Sequence, residues 1–248
     1  MFSVSVVVVF CGFMAGLLIG AVGIGGVILV PLLVYMANAD IHQSIAAALF
    51  SFSISGIVGT IIYARRGVIE WALVRNLVAG AVPGTLAGTV VLQYINETVL
   101  MAGIASLAIL SAGRELLPTS GHRQDNDYAI RPLHLITVGA VTGALSALSG
   151  TGGPMILIPV LIWFSVPAVM AIGLAQVIQL PIAIVATSGN IWNDTLDWHM
   201  GAAIAVGVAA GTLISGIMSK HIPAVTLKKG VALLLVVSGL LMFFSIIW

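Results

Sequence analysis

The chain has 248 residues, 60% hydrophobic and 7% charged, with a formal net charge of +1 and a mean hydropathy of +1.19. A soluble domain carries roughly a quarter charged residues, so this composition cannot furnish a soluble surface and points to a lipid bilayer. Nine basic against eight acidic residues leave no basic face for nucleic acid, and the single cysteine, Cys11, excludes an intrachain disulfide and a thiolate metal site.

Residues 1–20 are apolar but lack the basic n-region of a signal peptide, so they are read as structure. The region 3–37 is too long for one span and awkward for two. The run GLLIGAVGIGG at 16–26 cuts it. The pieces, about 16 and 11 to 13 residues, would reach roughly 24 Å and 16–20 Å, short of the ~30 Å hydrocarbon core. Spans follow at 42–64, 72–94 and 98–117. The polar stretch 118–131, PTSGHRQDNDYAIR, reads as a linker. A second awkward region, 132–166, is cut by GALSALSGTGG at 143–153, with spans after it at 168–190, 199–219 and 225–247.

The two interrupted regions are copies of each other, offset by 127 residues. At the same offset Glu70-Trp71 falls on Asp197-Trp198, and Gly84-Thr85-Leu86 falls on Gly211-Thr212-Leu213. Apolar, Gly-rich sequence aligns with itself easily, but a tryptophan with its preceding acid is not generic. The expected organisation is a first repeat over 1–117, a linker over 118–131 and a second repeat over 132–248. Internal duplication in a membrane protein is the mark of a secondary transporter whose site lies where the halves meet.

Each interrupted region is either one broken span or a hairpin that returns to the same side. Hairpins make the halves inverted and put Arg65, Arg66, Arg75, Arg114, Arg123, Arg131, Lys220, Lys228 and Lys229 on one face. Broken spans set the arginines against the lysines across the membrane. The positive-inside rule favours hairpins, with the basic face cytoplasmic and both termini outside. The expected fold is all-α: two inverted repeats, each a Gly-broken helical hairpin plus three transmembrane helices.

Candidate site residues follow from where polarity and helix breaks occur. Gly23, Gly25 and Gly26 in the first motif, and Gly150, Thr151, Gly152 and Gly153 in the second, sit where a helix must break. Glycine allows unusual backbone and close approach. The helix that follows presents free N–H groups and a partial positive charge, suited to an anion. Pro154 fits a first helical turn, and Pro31 and Pro159 should bend or end the short pieces. The other use of such glycines is tight helix packing, which suits Gly16 and Gly20. Ser51, Ser53 and Ser55 lie near the middle of 42–64, and Gln176 and Gln179, one turn apart, near the middle of 168–190. A glutamine at that depth faces protein, water or ligand, whereas serine can bond to its own helix. No Asp, Glu, Lys or Arg lies firmly at the midplane, so no metal or cofactor is expected and the site is neutral. Trp71 and Trp198 read as interface anchors; His42, His134, His199 and His221 sit near span ends.

The duplicated G-x-G-G at Gly23-Ile24-Gly25-Gly26 and Gly150-Thr151-Gly152-Gly153, followed by Pro31 and Pro159, resembles the sulfite exporter TauE/SafE family, also called the 4-toluene sulfonate uptake permease family. The resemblance covers nearly the whole chain. It implies a bacterial inner-membrane protein that moves a small sulfur-containing or organic anion, such as sulfite or a sulfonate, often outward. A passive anion channel is the nearest alternative. An intramembrane enzyme fits poorly, because Ala147-Leu148-Ser149-Gly150 lacks the first glycine of G-x-S-G and no H-E-x-x-H occurs.

Overall fold

The structure is a computed structural model and describes residues 2–22, 25–116 and 130–218, with Val236, Leu240 and Phe244. Among the described residues there are nine helices and no strand. They are α1 (Phe2–Val22), α2 (Gly26–Ala37), α3 (Ile41–Arg65), α4 (Trp71–Leu92), α5 (Glu97–Leu116), α6 (Pro132–Ser149), α7 (Pro154–Trp163), α8 (Ala168–Trp192) and α9 (Trp198–Met218). The expected spans 42–64, 72–94, 98–117, 168–190 and 199–219 fall on α3, α4, α5, α8 and α9. The expected span 225–247 and the linker 118–131 lie almost wholly outside the described residues.

Local chemistry sets the helix ends. The Asp40 carboxylate caps α3, accepting the N–H of His42 at 2.8 Å and of Gln43 at 3.0 Å. Asp197 does the same for α9, accepting from His199 at 2.9 Å and Met200 at 3.1 Å. Asn38, at φ 50°, closes α2 in the left-handed region. Both regions read as interrupted are indeed a long helix, a break at the glycine motif, and a short helix.

The long arms exceed expectation. α1 has 21 residues and α6 has 18, or about 31 Å and 27 Å, against the 16 residues expected. The apolar pattern runs through Gly12, Gly16 and Gly20 because a helix packed against a neighbour tolerates glycine. α6 alone is long and apolar enough to cross a membrane, as are α3, α4, α8 and α9. Nor do the prolines end the short helices: Pro31 and Pro159 lie inside α2 and α7, which continue to Ala37 and Trp163.

The halves exchange partners. α1 packs along α9, and α4 packs along α6. Small residues make these contacts possible. Gly12, Gly16 and Gly20 of α1 face the main chain of Ile204, Val208 and Thr212 on α9; a Cβ at Gly12 would lie 2.6 Å from the Ile204 carbonyl oxygen. Gly207 and Gly211 of α9 return the contact onto Phe13. At the other seam Gly80, Gly84 and Gly88 of α4 meet Ile136, Ala140 and Ala144 of α6, and Gly139 and Gly143 of α6 meet Leu77 and Ala81. In a bilayer, helices gain little hydrophobic energy by leaving lipid, so such close van der Waals seams hold them together. The apolar cores repeat the exchange. Val8 and Ile204 share one cluster, and Leu135 and Leu77, their positions at the 127 offset, share another.

Between the two seams lie α3 and α8, the matching central helices. Gln176 sits beside Gly59 and Thr60, Gln179 beside Ser55, and Leu180 beside Gly56. Numbers rise along one helix as they fall along the other, so α3 and α8 run antiparallel. The outer surface is apolar, with Phe10, Leu86, Val90 and Ile184 exposed, as lipid contact requires.

Candidate functional site

The two glycine motifs meet. Gly25 is the N-cap of α2 and Gly26 its first residue; a side chain on Gly26 would strike the Thr151 carbonyl of the other motif. Gly23 lies outside the described residues. In the second motif Gly150, Gly152 and Gly153 have φ of 66°, 75° and 106°. Only glycine holds three such conformations so closely spaced without strain. Gly150 ends α6, its N–H donating to the Ser146 carbonyl at 2.9 Å. Gly153 then starts α7, with Pro154 in the first turn and no side-chain cap. Thr151 is buried, its hydroxyl 3.0 Å from that of Ser149. The N–H groups of Thr151, Gly152 and Gly153 pair with no main-chain carbonyl among the described residues, so α7 offers an uncapped N-terminus inside the protein.

The central helices close over this break. A Cβ on Gly152 would lie 2.8 Å from the Phe52 ring of α3 and 3.4 Å from Cγ of Gln179 on α8. Gln179 is buried; its Nε2 donates to the Ser55 hydroxyl at 2.6 Å and to the Phe52 carbonyl at 3.3 Å. Gln176, also buried, donates from Nε2 to the Ile19 carbonyl in the last turn of α1 at 3.4 Å, while its Oε1 has no partner. Gly59 makes room for that oxygen. Both glutamines therefore lie between α8 and the first half.

The serines separate. Ser55 reaches Gln179. Ser51 is buried and donates to the Ala48 carbonyl of its own helix at 2.7 Å, and Ser53 is half-buried. Two residues that sequence reasoning passed over stand closer to the break. Ser146 Oγ lies 3.5 Å, and the Thr142 methyl 3.4 Å, from the position of a Cβ on Gly153. Both hydroxyls are buried and unpartnered.

Charge stays at the periphery. Arg66 donates from Nη2 to the Gly216 carbonyl at 2.7 Å and lies 5.0 Å over the Tyr63 ring, tying the end of α3 to α9. Asp40, His42 and Glu97 bring potential metal-ligand atoms within 4.8 Å of one another at the partly exposed α2–α3 turn. Asp40 already serves there as the cap of α3. A separate apolar cavity of about 160 Å³ lies between α5 and α6, lined by Ile104, Leu107, Leu145 and Leu148 among others.

A bundle of apolar helices with two glycine-motif breaks that meet and a buried polar crossing beside them fits a multi-pass membrane transporter. Residues 8–242 match the family model described as sulfite exporter TauE/SafE, and the chain belongs to that family. It is 23% identical over 240 residues to the "Probable membrane transporter protein YdhB" of Bacillus subtilis strain 168, covering 94% of this chain and 97% of that one. A "Probable membrane transporter protein" of Haemophilus influenzae is 26% identical over 263 residues, covering 98% and 99%. One from Xylella fastidiosa strain Temecula1 is 25% identical over 231 residues, covering 88% and 86%. No solved structure matches the chain significantly.

Proposed function

We propose that this transporter is a secondary carrier that exports a small sulfur-containing or organic anion, such as sulfite or a sulfonate, across the bacterial inner membrane. The halves are inverted repeats, and rocking of one against the other exposes the site to each side in turn. The observation that carries this reading is the meeting of the two helix breaks, Gly26 against Thr151, beneath the antiparallel crossing of α3 and α8. Matched helices that run in opposite directions are what inverted repeats require. An uncapped helix N-terminus at that crossing attracts negative charge without a neighbouring cation.

The anion is held by main-chain N–H groups of Thr151, Gly152 and Gly153, with Gln176, Gln179 and the serines of α3 around it. Gly25 and Gly26 of the first motif face it from the other half. The basic residues mark the cytoplasmic face, and both termini lie outside. Binding of sulfite, thiosulfate, sulfoacetate and small carboxylates to purified protein tests the substrate class. A response to sulfite or sulfoacetate that saturates is expected; binding of carboxylates alone would move the assignment away from sulfur oxyanions.

A further inference from the structure

Serine and threonine in an apolar helix normally satisfy their hydroxyls by bonding back to their own helix. This protein follows that habit repeatedly. Ser149 donates to Leu145, Thr85 to Ala81, Thr89 to Thr85 and Ser188 to Ile184, all at 2.7–2.9 Å. Ser146 and Thr142, one turn apart on α6, do not. Each is 0% exposed and neither hydroxyl has a partner. Leaving a buried hydroxyl unpaired costs about 1–3 kcal/mol, so the default bond has been forgone twice on one helix face. That face meets the N-cap of α7: Ser146 Oγ and the Thr142 methyl both lie within 3.5 Å of where a Cβ on Gly153 would stand.

The two halves differ at this point. At the 127-residue offset Ser146 corresponds to Ile19 and Thr142 to Ala15, neither of which carries a hydroxyl. The first half has the break but not the donors.

We infer that Ser146 and Thr142 are ligands of the transported oxyanion, which binds on the second half's helix break at the N-terminus of α7. The inference rests on the anion-carrier reading and sharpens it. The anion's oxygens accept from the Ser146 and Thr142 hydroxyls and from the N–H groups of Gly152 and Gly153. A head group with several acceptor oxygens, such as sulfite or a sulfonate, can serve these separate donors at once. The donors carry no formal charge, so release costs no broken ion pair, which suits a carrier that must let go on the far side. Ile19 and Ala15 leave the first half's break to close over the anion rather than to bind it.

The test measures affinity of the purified full-length protein for sulfite and for sulfoacetate, with thermal stability followed in parallel. Ser146→Ala should weaken binding of at least one probe by about tenfold or more. Its melting temperature should hold or rise, because the hydroxyl removed has no protein partner. Thr142→Val should weaken binding similarly, and Thr142→Ser, which keeps the hydroxyl, should retain it. The Thr142 pair carries the test if Ser146→Ala fails to fold. Wild-type protein that binds a probe, with Ser146→Ala and Thr142→Val both within twofold of it, would overturn this inference and leave the carrier reading standing. Wild-type protein that binds neither probe would instead sink the choice of sulfur oxyanions.

Discussion

Gln179 lies 127 residues after Phe52, and its side-chain amide donates to the Phe52 carbonyl at 3.3 Å. That spacing equals the offset of the duplicated glycine motifs, so under the proposed inverted repeat the contact would fall beside the axis relating the halves. The same amide also donates to the Ser55 hydroxyl at 2.6 Å. Gln179→Leu breaks both bonds between α3 and α8. Interhelical hydrogen bonds in membranes are modest, about 0.6 kcal/mol on average and up to about 1.7. The variant should therefore lose about 1 kcal/mol of stability, seen as a lower melting temperature in detergent. An unchanged melting temperature would show that the amide contributes nothing to holding the halves.

Gly152 tests the break itself. At φ 75° and 2.8 Å from the Phe52 ring for an added Cβ, it has neither the backbone nor the space for a side chain. Gly152→Leu should abolish transport while the protein still inserts. Normal transport by that variant would remove the second motif from the site.

The glycine seams make a graded prediction. Gly84→Leu would drive a side chain into the α6 main chain at Ala140, and Gly211→Leu would do the same to α1 at Phe13. Both should fail to yield folded protein. Gly103→Ala, where nothing lies within 4 Å, should be neutral or slightly stabilising. Gel filtration in detergent separates the two classes; folded Gly84→Leu protein would contradict the α4–α6 contact.

Orientation can be read in intact cells. With the basic residues inside, a cysteine at Ser120 should resist a membrane-impermeant thiol reagent and react only after permeabilisation. Rapid labelling from outside would reverse the topology.

Much of this arrangement was legible in the sequence, for identifiable reasons. Five described spans and both breaks follow from apolar length and clustered glycine, and Gly16 and Gly20 serve packing as their spacing suggested. α1 and α6 run longer than their glycine content implies because glycine does not by itself end a helix: Gly12, Gly16 and Gly20 remain helical against α9. Exchange of partners between halves cannot be read from one helix at a time, since each seam's periodicity is the same whichever helix it meets. Ser146 and Thr142 are not legible because a hydroxyl in an apolar helix reads as self-satisfied; a missing back-bond, which Ser44, Thr187 and Ser215 share, marks them only together with their place beside the α7 N-terminus.

The central claim is alternating-access carriage of a sulfur oxyanion. Counterflow measures it most directly: proteoliposomes preloaded with unlabelled sulfoacetate or sulfite are diluted into a trace of the same labelled anion. A carrier should accumulate label transiently above equilibrium, with a rate that saturates. Flux that rises linearly with concentration and shows no overshoot, from protein that binds the anion, would contradict the account and establish a passive channel.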